Sequence, residues 1–193
     1  MPEQKITTLG YALLGLLHQK PASGYALRKI FAATSMKTYS GSPGAIYPAL
    51  RQLEKLGLIR GKVEESAGVR QRQVFQLTPF GVFELKEWIA RPVTREDVVR
   101  GAQEIMLRFA FSEMAVGTAA AVELLRSLED VLKKYLMSLI LELKAMPEAM
   151  PTSGRLAFQC GIRGNQALLE WTRYALETYA QQQSPNTPNE YGY

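Results

Sequence analysis

Apolar residues in the first third of the chain recur at spacings of three and four, in short segments separated by Gly, Pro and Ser. This spacing is typical of amphipathic helices that bury one face. The first predicted helix runs from Lys5 to His18 and ends before Pro21. Ser23 is placed to cap a second helix, whose predicted buried side consists of Tyr25, Leu27, Ile30 and Phe31.

A third helix is predicted over residues 43–57, with the sequence PGAIYPALRQLEKLG. Pro48 lacks an N–H and crowds the carbonyl of Gly44, which would cost about 3 kcal/mol in the middle of a helix. The cost falls near a helix start, because the first four N–H groups have no helical partner there. Pro48 therefore predicts that the regular helix begins late, close to Ala45, and Gly57 predicts a left-handed end.

A β-hairpin and a fourth helix are predicted next. Residues 58–65 (LIRGKVEE) and 70–77 (RQRQVFQL) have the pattern of two strands, and the four residues between them suit a hairpin tip. Thr78 and Pro79 are typical of a helix cap and a first helical residue, for a helix that ends at about Ala90. The order of elements over residues 4–91 predicts a winged helix-turn-helix, with the wing over about 58–77.

The second half of the chain has a helical pattern throughout. Thr94 and Asp97 resemble a capping box, which predicts a helix from there to about Phe111, and Ser112 is a candidate cap for the next helix. The last residues, 184–193, lack a core-forming pattern and are predicted to be a disordered tail.

Two long helices in this half carry apolar stripes that are candidates for dimerisation. From residue 121 to 146 apolar residues step by three and four, as in a coiled coil; the stripe includes Leu125, Leu128, Leu132, Tyr135, Leu139 and Leu143. The last helix, predicted over about 153–182, has Gly161, Gly164, Leu168 and Trp171 at the same steps. We expect these stripes to pack across a twofold axis between two copies; packing within one chain is the alternative.

Composition places the chain among globular proteins, and charge separates its two halves. The 193 residues are 47% apolar and include one cysteine, Cys160, which fits a reducing, cytoplasmic setting. The apolar run from Gly10 to Leu17 is too short to span a membrane, for which about 20 residues are needed. Residues 1–92 carry a formal charge of +7 and residues 93–193 a charge of −2, so a polyanion such as DNA is the expected partner of the first half.

The third helix has the features of a DNA recognition helix. Its N-terminus offers free N–H groups, and its exposed side would present Tyr47 and Arg51 to the major groove. We expect phosphate contacts from Lys37, Arg51, Arg70 and Arg72 and contacts to bases or sugars from Ser42, Tyr47 and Gln71, with Tyr39 as a further candidate.

The chain resembles the PadR family of transcriptional regulators. The resemblance rests on YALLGLL (11–17), GYAL (24–27), GAIYPALRQL (44–53), GLI (57–59) and RQRQVFQL (70–77) followed by Thr78 and Gly81, in the right order and spacing. Gln71, Gln73 and Phe75 depart from residues frequent in the family. Gly161–Glu177 is most similar to the longer-tailed members, the AphA-type virulence activators.

The resemblance implies a mainly α protein with a small β-hairpin: a winged helix-turn-helix over residues 1–92, followed by an α-helical dimerisation domain over residues 93–183. It implies a homodimer that binds double-stranded DNA at a palindromic operator and regulates transcription. Trp88, Phe109 and Trp171 are candidates to line a pocket for a small aromatic effector, although the core is the more common place for such residues. The alternative is a small-molecule-sensing or scaffolding winged-helix protein that binds DNA weakly.

The sequence does not favour an enzyme or a metal protein. The single histidine, His18, and the distant Cys160 lack the companions of a zinc site or an activated nucleophile. No phosphate-binding glycine motif is present. We therefore expect no catalytic residue, no metal and no cofactor.

Overall fold

The computed structural model describes residues 6–40, 44–64, 72–147 and 149–183, which form two compact units. The first unit contains residues up to 91 together with 106–118, and the second contains 92–105 and the residues from 119 onward. The helices are α1 (Thr8–Gln19), α2 (Gly24–Ala33), α3 (Lys37–Ser40), α4 (Ile46–Lys55), α5 (Pro79–Ala90), α6 (Arg95–Arg100), α7 (Gln103–Ala115), α8 (Thr118–Ala145) and α9 (Thr152–Gln183). The strands are β1 (Ala22–Ser23), β2 (Ile59–Glu64) and β3 (Arg72–Leu77).

Helix α1 lies at the centre of the first unit, where it packs against α3, α4, α5 and β3. Leu13 and Leu14 on this helix have no accessible surface. The ring of Tyr11 stacks on that of Trp88 in α5, with 4.2 Å between centroids. Burial of several large apolar side chains at about 1.5–3 kcal/mol each holds these helices together.

Helix α4 begins where Pro48 predicts. Its first residue is Ile46, its N-cap is Ala45, and Pro48 is the third helical residue, so the missing N–H falls among those without a helical partner. The helix ends at Lys55 with Leu56 as its C-cap, and Gly57, the next residue, has the left-handed φ of 73° that the sequence predicts.

The hairpin pairs β2 with β3 in an antiparallel register that sets Gly61 opposite Phe75. Both strands fall within the predicted segments. A third strand that the sequence pattern did not predict, β1, pairs with β3 to give the sheet order β1-β3-β2. The first unit therefore has the helices and hairpin of a winged helix-turn-helix.

Thr78 caps α5 as predicted, because its Oγ1 accepts a hydrogen bond from the N–H of Gly81 at 3.0 Å. The capping box of Thr94 and Asp97 is also confirmed at the start of α6. The single helix predicted from there to Phe111 is wrong: α6 ends at Gly101, whose φ of 106° disfavours other residues. Ser112 is not a cap but lies inside α7, where its hydroxyl donates to the carbonyl of Phe109.

Helix α7 contributes to the first unit, although the predicted domain boundary lies at residue 92. The ring of Phe111 lies so close to Gly15 that a Cβ at that glycine would be 2.3 Å from it. Arg108 is fully buried, and its Nη2 donates to the carbonyls of Ile89 and Arg91 at the end of α5. A cation there complements the partial negative charge of a helix C-terminus.

In the second unit, α8 and α9 pack through a small core of Leu136, Leu139 and Ile162. The carboxylate of Glu129 on α8 contacts Lys133 Nζ at 2.9 Å and Arg173 Nε on α9 at 3.1 Å. These hydrogen bonds, that of Lys133 first, hold the pKa of Glu129 below its ordinary value, against a smaller opposing effect of burial.

Candidate nucleic-acid interface

Helix α4 presents one polar side and one buried side, as an inserted recognition helix requires. Ile46, Leu50 and Leu53 are buried in the core. Tyr47 is 43% exposed, and Arg51, one turn later, is exposed. An aromatic hydroxyl and a guanidinium on one helix face can contact base edges and phosphates.

The ring of Tyr47 rests against the first residue of α2. A Cβ at Gly24 would be 2.7 Å from Cε1 of Tyr47 and 3.3 Å from Leu50 Cδ1, so only glycine leaves the ring in place. Ser23, just before it, accepts a hydrogen bond from the N–H of Ala26 at 3.2 Å and caps α2. The first turns of α2 and α4 are therefore neighbours.

The wing is attached to the end of α4 by a hydrogen bond. The carboxylate of Glu54 accepts from the N–H of Gly61 at 2.9 Å. On the same strand Arg60 and Lys62 are exposed. Residues two apart on a strand face the same side, so β2 adds two cations that we did not select from the sequence, although this alternation was the signal for them.

The remaining predicted DNA-binding residues have different positions. Lys37 is exposed on α3, whereas Tyr39 is half-buried against the core, and this burial raises the pKa of its phenol. The backbone of Arg72 lies opposite that of Glu64 in the antiparallel register of the hairpin. Ser42, Arg70 and Gln71 lie outside the described residues.

A second group of cations lies on α2, where the sequence pattern predicted Tyr25 to be buried. That prediction is wrong, because the ring is 57% exposed, while the buried residues of the helix are Gly24, Leu27 and Phe31. The guanidinium carbon of Arg28 and the Nζ of Lys29 are 5.7 and 5.8 Å from the centroid of the Tyr25 ring. Both distances are within the range of cation–π attraction.

The charged side chains of residues 4–53 all have the same sign. Residues 4–53 contain no Asp or Glu and six cations, which are Lys5, Lys20, Arg28, Lys29, Lys37 and Arg51. The acid that ends this stretch is Glu54, whose carboxylate accepts the hydrogen bond from Gly61. A field of one sign raises the local concentration of a polyanion and its rate of association.

Most of the predicted dimerisation residues of α8 are already buried in the folded chain. Leu125, Leu128 and Leu132 have no accessible surface, and Leu139 has 8%. Leu139 packs with Ile162 of α9, and Tyr135 and Leu143 are partly buried around this core. These leucines are buried within a single chain, which is the alternative to packing between copies. An interface between copies would therefore need other side chains of α8.

The predicted dimerisation residues of α9 are nearer the surface. Gly161 and Gly164 are exposed, with no atom within 4 Å of a Cβ added to either. Leu168 and Trp171 are half-buried. Close approach of another backbone along this glycine pair therefore remains sterically open.

The predicted effector residues do not share one environment. Trp88 is 6% exposed and stacks on Tyr11 in the first unit's core. Phe109 is half-buried on α7, and Trp171 is half-buried on α9 in the second unit. A small cavity of about 170 Å³ lies among other residues, which are Arg95, Val131, Lys134 and Tyr135.

The described part of the chain has neither a metal-binding cluster nor a membrane-spanning helix. Within residues 6–40, 44–64, 72–147 and 149–183, no three His, Cys, Asp or Glu side chains cluster to hold a metal ion. No helix of these same residues has the length and apolar character to cross a membrane.

Comparison with known proteins identifies the winged part of the chain. Residues 13–87, which include the later part of α1, all of α2 and α4 and both strands of the wing, match the model of the transcriptional regulator PadR-like family. Over these residues the chain is similar to PadR-like regulators. This match confirms the resemblance seen in the sequence, and it agrees with the expectation of a regulator rather than an enzyme.

The negative transcriptional regulator PadR of Bacillus subtilis is 30% identical to this chain over 103 residues. That alignment covers 53% of this chain and 56% of the relative, so the chain spans little more than half the length of this curated protein.

Two solved structures match the chain at lower identity. Bacillus subtilis PadR in complex with operator DNA is 24% identical, with 89% of this chain and 98% of that one covered and a TM-score of 0.41. The PadR-like transcriptional regulator BC1756 from Bacillus cereus is also 24% identical, with 93% and 99% covered and a TM-score of 0.42.

Proposed function

We propose that this PadR-like protein is a sequence-specific DNA-binding transcriptional regulator that acts as a homodimer. The observation that carries the proposal is the surface of α4 and β2. Tyr47, Arg51, Arg60 and Lys62 are exposed on a helix and a wing strand that the bond between Glu54 and Gly61 joins. A helix of this kind fits the major groove, and a basic wing fits the adjoining backbone.

The family supports the same function. The matched residues include all of α4 and the described residues of the wing, and the Bacillus subtilis relative is a negative transcriptional regulator. We therefore infer that this protein also regulates transcription by binding a DNA site. The likeness of residues 161–177 to the longer-tailed, AphA-type members belongs to this proposal as well.

The homodimer is supported by apolar side chains that the second unit leaves on its surface. Met137 and Leu141 on α8 are 66% and 61% exposed, and Ile140 is also exposed. Met137 and Leu141 lie on a different side of α8 from Leu136 and Leu139, which pack on α9. Ile140 follows Leu136 by one turn and borders the packed side. Contiguous exposed apolar residues favour a partner surface, and a second copy would place two recognition helices on one duplex.

An effector site is a separate part of this proposal. With Trp88 in the core, only Phe109 and Trp171 of the three predicted residues keep a partly exposed ring. A small aromatic effector would have to bind at one of these rings. Stabilisation against thermal unfolding across a panel of aromatic acids would detect it.

DNA binding is tested by removing the guanidinium of α4. Arg51→Ala is expected to weaken binding to duplex DNA from upstream of the protein's own gene by roughly 1–3 kcal/mol, since a base contact would be lost. The measurement is fluorescence anisotropy at several salt concentrations, with Arg126→Ala, an exposed arginine of α8, as the control. Wild-type protein that shows no salt-dependent binding would refute the proposal in favour of a scaffolding or sensing role.

A further inference from the structure

The exposed ring of Tyr25 needs an explanation, because the core of α2 is complete without it. Leu27 and Phe31 fill the buried side of the helix. Tyr25 is the second residue of α2, and Arg28 and Lys29 follow it by three and four positions. Residues at these spacings are neighbours on a helix surface, so both cations lie beside the ring.

The ring fixes two side chains that would otherwise be mobile. Both cations are within 6 Å of the Tyr25 centroid, and attraction to an aromatic face restricts their long stems. No acid occurs within twenty residues of this group on either side. The positive charge of the group is therefore not neutralised by a neighbour in the sequence.

The group is also next to the recognition helix. Gly24, which precedes Tyr25, touches the ring of Tyr47, which is itself exposed on α4. A duplex that contacts Tyr47 would bring its sugar–phosphate backbone to the first turn of α2. Phosphate contacts of this kind set the orientation of a protein on DNA.

We propose that Tyr25, Arg28 and Lys29 form a phosphate-binding patch for the DNA strand that borders the groove occupied by α4. Arg28 and Lys29 contact phosphates, and Tyr25 is a positioning residue that holds both cations. The proposal rests on the proposed DNA-binding function and adds a second contact region on α2, of which the sequence pattern had assigned Tyr25 to the core.

The test is the salt dependence of binding to the same upstream duplex. Arg28→Gln and Lys29→Gln are each expected to make the slope of log K against log salt less negative by about 0.9, the value for one lost phosphate contact. The matched control is Lys86→Gln, which removes one charge from an exposed lysine of α5 in the same unit, and it is expected to keep the wild-type slope. All three side chains are exposed, and thermal unfolding verifies that each variant is folded.

The positioning role of Tyr25 has its own readout. Tyr25→Phe keeps the ring and is expected to retain wild-type affinity, whereas Tyr25→Leu is expected to weaken binding several-fold. Equal DNA affinities of Tyr25→Phe and Tyr25→Leu would overturn the proposed patch. So would salt slopes of Arg28→Gln and Lys29→Gln that match the slope of Lys86→Gln. Arg51→Ala separates the two proposals: if it weakens binding while the α2 variants do not, the patch fails and the regulator function stands.

Discussion

Gly24 shows how a single missing side chain can determine a functional surface. Its φ is not left-handed, so the glycine is not required by the backbone. It is required by Tyr47, because a Cβ there would lie 2.7 Å from Cε1 of that ring. The ring is half-exposed and can swing away, so alanine displaces the tyrosine, while Leu50 of the core, 3.3 Å from the added Cβ, has to shift by only a few tenths of an ångström.

Gly24→Ala is therefore expected to separate DNA affinity from stability. Gly24 is the first residue of α2, where alanine is compatible with the backbone, so the free energy of unfolding should change little. Affinity for the upstream duplex should fall because Tyr47 leaves its position. The control is Gly154→Ala in α9, where the nearest atom is an ordinary 3.6 Å away; equal DNA affinity of both variants would contradict the role of this contact.

Among the helices, α7 is the one whose packing partner could not be inferred from its position in the sequence. It follows two interruptions, at Pro92 and at Gly101, yet Leu107, Phe111 and Ala115 belong to the core of the first unit. Periodicity identifies the helix but not its partner. The packing depends on Gly15 in α1, nearly a hundred residues earlier, whose missing Cβ makes room for Phe111.

A fragment that ends at residue 92 is consequently expected to fold poorly. It lacks Leu107 and Phe111 of the core, each of which contributes about 1.5–3 kcal/mol when buried, and it lacks the hydrogen bonds that Arg108 donates to the end of α5. A fragment that ends at residue 118 keeps them. Thermal unfolding followed by circular dichroism should show a cooperative transition for the longer fragment and a lower melting temperature for the shorter one. Equal melting temperatures would show that α7 is dispensable.

The ion pairs of Glu129 make the contact between α8 and α9 sensitive to acid. Lys133 and Arg173 hold the pKa of this carboxyl below 4.5, its value in an unfolded chain. A depressed pKa means that the stabilisation is fully present above pH 4.5 and is lost as the pH falls through the lower folded value.

Glu129→Gln should therefore reduce stability at neutral pH and flatten the loss of unfolding free energy as the pH falls from neutral to below 4.5. Urea unfolding across this range measures the effect. Glu123→Gln, at an exposed residue of α8, is the control. A pH dependence in Glu129→Gln as steep as in the wild type would mean that the ion pairs contribute nothing.

Across the whole molecule, the ends of helices could be predicted from the sequence, whereas contacts between residues far apart in the sequence could not. Pro48 and Gly57 were sufficient to place both ends of α4, and Thr78 and Thr94 marked two helix starts, because caps and prolines act within one turn. Strand β1, two residues long, exists only through its pairing with β3, some fifty residues later. The seam of α8 had the right period, but its period could not tell a helix of the same chain from one of a partner.

We predict that loss of the dimer weakens DNA binding. Leu141→Glu places a charge among the exposed apolar residues of α8 without entering the packed side of the helix. It is expected to sediment at the chain mass of 21.6 kDa, while the wild type sediments at twice that mass. Affinity for a palindromic duplex should fall by about 10²-fold or more, since two linked units gain that much from effective concentration.

Glu142→Gln, a change at the next residue, which is also exposed, controls for altered charge on α8 and should remain dimeric. A single half-site duplex provides the second comparison, because one recognition helix can occupy it and both variants should then bind with similar affinity. If Leu141→Glu were monomeric yet bound the palindrome as tightly as the wild type, each unit would read DNA by itself, and the exposed face of α8 would have to serve something other than the alignment of two recognition helices.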